Sequence, residues 1–285
     1  VTYIIHGATG AQGSPLYARL LASGQGAFAA VRDPAKLKGG PGKAVDNDSL
    51  ESLIAAYRDA DGIFVHLPQA PEMVRLRQAV SIAEAIAAAR PKRVVISTSG
   101  AIVDQPESAL QSSGDSAIGT LLSRVRDSGV SYAVAAPRLY LENLLLPMVI
   151  GSVQSEGVLR YPLGASFRAS WSSHLDVAVV AERLLNDHAV TGVVGVGWVP
   201  GFAGTELALE FSEYFGRDIG FEALSPETFG TLIEPLLGPA AAAVAGFYKA
   251  LAHVSDNVIA SDTSAQLQLG LTPRPVGQWL ADMGM

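Results

Sequence analysis

The 285-residue chain contains no cysteine, which removes disulfides, thiolate catalysis and cysteine-ligated metals from consideration. Aromatic residues supply only 7% of the sequence and charged residues 16%, against 49% hydrophobic residues. That balance provides a sizeable core for one large or two small domains. Basic residues are the scarcer charge, 20 Lys and Arg facing 27 Asp and Glu for a net charge of −7, which argues against a general affinity for nucleic acid. No uninterrupted apolar run approaches the roughly 18 residues that a bilayer span needs, and the alanine-rich stretch 240–245 is far too short. The start of the sequence shows no charged, apolar and cleavage-site series, so no targeting segment is expected there.

Glycine, by contrast, is placed with a purpose. Gly7, Gly10 and Gly13 stand in the stretch 4–15, after an apolar run and before a helical pattern. In such a strand–turn–helix the first glycine permits the tight turn, the second lets the backbone approach a pyrophosphate, and the third allows helix and strand to pack closely. The anion then rests on free amides and on the positive end of the helix dipole. Thr9, Ala11 and Gln12 complete the loop, and Pro15 suits a first helical turn. The spacing G-x-x-G-x-x-G is one residue wider at its first gap than the commonest dinucleotide fingerprint.

The first half alternates strand and helix with short links, the pattern of a parallel sheet covered on both faces. Strands are expected at 1–6, 27–31, 44–45, 62–67, 93–97 and 131–136, with helices at 15–23, 49–58, 72–89 and 118–127. The expected class is therefore α/β, a Rossmann doubly wound sheet over 1–143. Beyond Asn143 proline, glycine and aromatic residues become frequent, which suits a smaller substrate-binding lobe made mainly from 144–285. Within it 167–171 and 193–199 read as strands, 176–185 as a helix returning to the core, and 205–215 and 239–253 as further helices; 173–200 is expected to rejoin the first domain.

Cofactor choice is read at the end of the second strand, where an acidic residue binds the ribose of NAD and a basic one accepts a 2′-phosphate. Ala29-Ala30-Val31-Arg32 ends with an arginine, which offers a planar, charge-assisted contact to phosphate. Asp33-Pro34 has the form of a helix cap.

Gly7–Gly13, the stretches 31–37 and 137–143, and His174-Leu175-Asp176-Val177-Ala178 together resemble the NmrA-like branch of the atypical short-chain dehydrogenases/reductases over about the first 220 residues. That resemblance implies a Rossmann domain with a small C-terminal lobe, NADP(H) as cofactor with Arg32 selecting it, and an oxidoreductase acting on a quinone or conjugated carbonyl compound. A pool of nicotinamide cofactor favours the cytoplasm, the expected partner is a small aromatic or quinonoid substrate, no direct contact with nucleic acid or membrane is expected, and a homodimer is admitted. Members also include redox-sensing regulators, and a tailoring reductase or isomerase for an aromatic natural product is a further alternative.

The chain lacks the Tyr-x-x-x-Lys acid of ordinary short-chain reductases, since no tyrosine is followed four positions later by lysine. Ile118 stands where some relatives carry a basic group. Quinone reduction tolerates this loss, because a phenolate product can take its proton from water. Tyr140, His174 and Ser99 remain as catalytic candidates, and His66, Leu67, Pro68, Thr98 and Asn143 join the glycine loop and Arg32 as cofactor-binding candidates. His6 and His66 end neighbouring strands and can both face the crevice; no third residue near them has metal-site spacing, and no metal is expected.

Overall fold

Seven strands hydrogen-bond in parallel to form the central sheet of the computed structural model, which describes residues Val1–Met285. In chain order its first half comprises β1 (Thr2–His6), α1 (Gly13–Ala22), β2 (Gly26–Val31), β3 (Gly42–Ala44), α2 (Leu50–Tyr57), β4 (Gly62–Val65), α3 (Glu72–Ala89), β5 (Arg93–Ser97), α4 (Ala117–Asp127) and β6 (Tyr132–Pro137). There follow β7 (Leu139–Tyr140), α5 (Pro147–Glu156), β8 (Val158–Tyr161), β9 (Arg168–Ala169), β10 (Trp171–Ser172), α6 (His174–Asn186), β11 (Gly192–Val196) and α7 (Gly204–Phe215). The chain ends with β12 (Gly220–Ala223), α8 (Pro226–Leu237), α9 (Ala240–Leu251), β13 (Asp256–Asn257), α10 (Ala265–Leu269) and α11 (Val276–Asp282).

The strand order is β11-β6-β5-β4-β1-β2-β3. From β1 the chain winds outward to β2 and β3, then returns to β4 on the opposite side of β1. This reversal opens a crevice beyond the carboxyl ends of β1 and β4, where ligands of doubly wound sheets bind. One apolar layer packs Leu16, Tyr17 and Leu20 of α1 and Val177, Ala181 and Leu184 of α6 on the sheet; the other packs Leu53, Ile82, Ile86 and Leu121 from α2, α3 and α4. Both sheet faces are thus covered, which explains why β1, β4 and β5 are apolar runs without alternation.

A second core joins β8, α7, α8, α9 and α11. Its centre is aromatic: the Tyr161 ring lies 5.5 Å from Trp171, 5.5 Å from Phe229 and 5.4 Å from Tyr248. Ala265 and Leu269 of α10 pack on the first core, not the second.

Several elements differ from the sequence reading for local reasons. β4 stops at Val65, and His66, Leu67 and Pro68 lie outside the ladder; Pro68 has no amide to donate and restricts Leu67. The segment 167–171 is two short strands broken at Ser170, whose hydroxyl donates to the Trp198 carbonyl at 2.7 Å and accepts from the Ile259 amide at 3.0 Å. At 193–199 the strand ends at Val196, after which the Trp198 amide turns to the Trp171 carbonyl at 2.9 Å. Helices α5, α8 and α11 and strands β8 and β12 have no counterpart in the sequence reading.

Candidate functional site

The glycine loop is built from close approaches. Gly7 has φ 62°, in the left-handed region, and the Gly10 amide donates to the Gly7 carbonyl at 2.8 Å. A Cβ at Gly13 would lie 2.3 Å from the Gly7 oxygen and 2.6 Å from the His6 oxygen, so α1 can abut β1 only through a glycine. At Gly10 the nearest atom to such a Cβ is 3.4 Å away, and the residue is exposed. The second glycine therefore faces open space, as close approach of a ligand requires. The amides of Ala11 and Gln12 have no backbone partner and precede α1, leaving donors for an anion. The Gln12 side chain is buried and bridges two hydroxyls, accepting from Ser97 Oγ at 2.7 Å and donating to Ser99 Oγ at 3.0 Å. It thereby ties the glycine loop to the turn after β5, where Ser99 is held at φ 55°.

A crevice of about 950 Å³ extends from this loop across the ends of β2 and β3. Gly7, Thr9, Arg32, His66 and Pro68 line it, whereas Leu67 and Thr98 are buried beside it and Asn143 lies elsewhere. The Arg32 side chain is exposed, with no acidic partner within salt-bridge range. Asp33 is occupied differently: it caps a short 3₁₀ turn by accepting from the Ala35 amide at 3.1 Å and pairs with Lys36 at 3.2 Å. The crevice wall also contains Asp46, Asn47, Asp48 and Gln78, which sequence reasoning missed. A signal existed for Gln78, a lone amide on the inward stripe of α3 that continues through Ile82 and Ile86.

The two histidines differ in role. His6 is buried, and its Nε2 lies 2.7 Å from the Tyr57 hydroxyl; burial, with His66 nearby, lowers its pKa to about 3. It is a satisfied core residue whose ring turns to α2. His66 Nε2 is buried without a partner against Gly7, where a Cβ would lie only 1.9 Å from that nitrogen. Burial lowers its pKa as well. No three His, Asp or Glu side chains gather as a metal site would need.

Beyond β6, β7 pairs with β10 so that Tyr140 sits opposite Ser172. This brings the Tyr140 and His174 rings to 4.3 Å between centroids, tilted by 40°. The Tyr140 hydroxyl and His174 Nδ1 are buried without partners, like Thr98 Oγ1. Burial, with His66 nearby, lowers the His174 pKa to about 4. Burial and the charge of Glu142 push the Tyr140 hydroxyl well above its ordinary range. Both side chains are therefore uncharged at neutral pH. Glu142, also missed from the sequence, accepts from the His174 amide at 2.9 Å and so fixes the start of α6. Ser173 is the N-cap of α6, and Asp176 accepts from the Ser173 amide at 2.7 Å in a capping box. Asn143 lies beside the Tyr161 and Tyr248 hydroxyls in the second core.

Known proteins share this fold. Residues 7–137 match a family model for NAD(P)H-binding domains. The chain is 29% identical over 238 residues to an NAD(P)H azoreductase of Xenophilus azovorans, covering 79% of this chain and 77% of the relative. Its fold is shared with the NADP(H) complex of a Citrobacter sp. triphenylmethane reductase, at a TM-score of 0.80, 19% identity and 99% coverage of both chains. An NADPH complex of an Escherichia coli NADPH-dependent quinone oxidoreductase overlays with a TM-score of 0.75, 20% identity and 100% coverage of both chains. Residues 7–137 therefore carry an NAD(P)H-binding domain, set in a Rossmann fold that these proteins share.

Proposed function

We propose that this protein is an oxidoreductase that uses NADPH and reduces a flat, conjugated acceptor, a quinone or conjugated carbonyl compound in the first instance and an aromatic azo compound by analogy with the azoreductase relative. The observation that carries the NADPH preference is Arg32, exposed at the crevice directly after β2 while the adjacent Asp33 is committed to its cap. An unpaired guanidinium at that position suits a 2′-phosphate and gives no acceptor to a bare ribose. The glycine loop, with the free amides of Ala11 and Gln12, would hold the pyrophosphate.

When bound, the reduced nicotinamide supplies a hydride. Tyr140 and His174, packed against each other and uncharged, would orient the acceptor by hydrogen bonds from their unpartnered polar atoms. A neutral imidazole and a tyrosine with raised pKa are weak acids, so the proton that completes hydroquinone or hydrazine formation is assigned to water. The test is NADPH oxidation with a panel of quinones, enones and azo dyes, with NADH as control. Turnover that follows acceptor electrophilicity and favours NADPH supports the proposal; equal use of NADH removes Arg32 from its assigned role.

A further inference from the structure

The crevice contains a buried amide that neither the packing of the fold nor the hydride chemistry requires. Gln78, in the second turn of α3, is only 9% exposed and lines the same crevice as Arg32. Its Nε2 donates to Asp48 Oδ2 at 3.2 Å, while its Oε1 is buried with no partner. The orientation is chemically forced. A carboxylate accepts and does not donate, so the amide must turn its NH₂ to Asp48 and leave its carbonyl oxygen free. A buried acceptor left unpaired is costly and calls for a donor. Val31 at the end of β2 and Val45 after β3 give the same region apolar walls, which suits a flat heteroaromatic ring. Arg32 marks this as the adenosine end.

We infer that Gln78 Oε1 accepts from the exocyclic amine of the cofactor's adenine, with Asp48 as the positioning residue that locks the amide against rotation. This deepens the NADPH reading and rests on it. The consequence is base specificity. A hypoxanthine ring, in which a carbonyl replaces the amine, would set oxygen against oxygen. Gln78 cannot flip to relieve that contact, since its oxygen would then face the Asp48 carboxylate.

The experiment is a titration of the whole protein with NADPH and with its hypoxanthine analogue. Wild type should bind NADPH about tenfold or more tighter. Gln78→Leu should bring the two affinities within about twofold by weakening NADPH alone. Asp48→Ala, which frees the amide to rotate, should narrow the gap by strengthening the hypoxanthine form, an effect that merely loosening the crevice would not produce. Arg32→Ala should weaken both dinucleotides alike and preserve their ratio. Equal affinities in wild type, or a preference for adenine that survives Gln78→Leu, would overturn the assignment while leaving the NADPH reading intact. If wild type binds neither dinucleotide, both are overturned.

Discussion

At the scale of single residues, the site depends on which charges are left free. Arg32 is exposed and has no acidic partner, so Arg32→Ala should lower NADPH affinity about tenfold to a hundredfold, the equivalent of about 1.5–3 kcal/mol for a charged hydrogen bond, and leave NADH affinity nearly unchanged. Titration of both cofactors checks this. Tyr140 bears a hydroxyl that is neutral and unpartnered, so Tyr140→Phe should leave hydride transfer within about tenfold of wild type, below the roughly 10²–10⁴ that deletion of a general acid produces. Single-turnover decay of NADPH absorbance with a quinone measures that step; a thousandfold loss would make Tyr140 the proton donor.

The buried histidines add a dependence on pH. His6 has its pKa lowered to about 3 and His174 to about 4, both chiefly by burial, whereas an unfolded histidine titrates near about 6.5. Between those values the unfolded chain binds protons that the folded one does not, so stability is full above about pH 6.5 and falls as pH drops toward about 4. Each histidine contributes a slope of about 1.4 kcal/mol per pH unit in that window. Urea unfolding across that window should show this loss. His6→Gln, whose neutral amide can still accept from Tyr57, should flatten it.

At the scale of elements, the glycine loop joins β1 to α1 by contacts that separate folding from binding. Gly10→Val projects into open space and should leave the fold intact while abolishing stabilisation by NADPH, read as the loss of a ligand-induced rise in Tm. Gly13→Ala places its Cβ 2.3 Å from the Gly7 oxygen and should lower Tm even without ligand. The loop is legible in the sequence because its glycines sit in fixed register with a strand and a helix. So is the cap at Asp33-Pro34, whose chemistry is local. The cap of α6 is Ser173, and Asp176, three residues on, accepts from the Ser173 amide as the reciprocal half of a capping box. Gln78 shows in the sequence only as an amide on an apolar stripe, and Glu142 not at all: what marks them as site residues is an unpaired oxygen or an amide contact from a distant element, which exists only when α3 meets the loop after β3 and the turn after β7 meets α6.

At the scale of the whole molecule, the parallel sheet follows from alternation, because each strand–helix unit announces itself within about thirty residues. The aromatic lobe does not. Its strands are two to four residues long, and its core forms from segments as far apart as Leu141 and Leu280, so periodicity has little length on which to act. That lobe packs Tyr161 and Tyr248 with Trp171 of β10, the strand that pairs with β7 and its Tyr140 and that leads into His174 at the start of α6. In the proposed function the Rossmann half would supply the cofactor crevice, and the lobe the wall where an acceptor would lie. The most direct measurement of this division of labour is an anaerobic single turnover of the protein with NADPH and with NADPH deuterated at the transferred position, mixed against a quinone and an azo dye. NADPH absorbance should decay at a rate set by the acceptor, slowed by the heavier isotope; tight binding of NADPH with no decay against any acceptor would contradict hydride transfer.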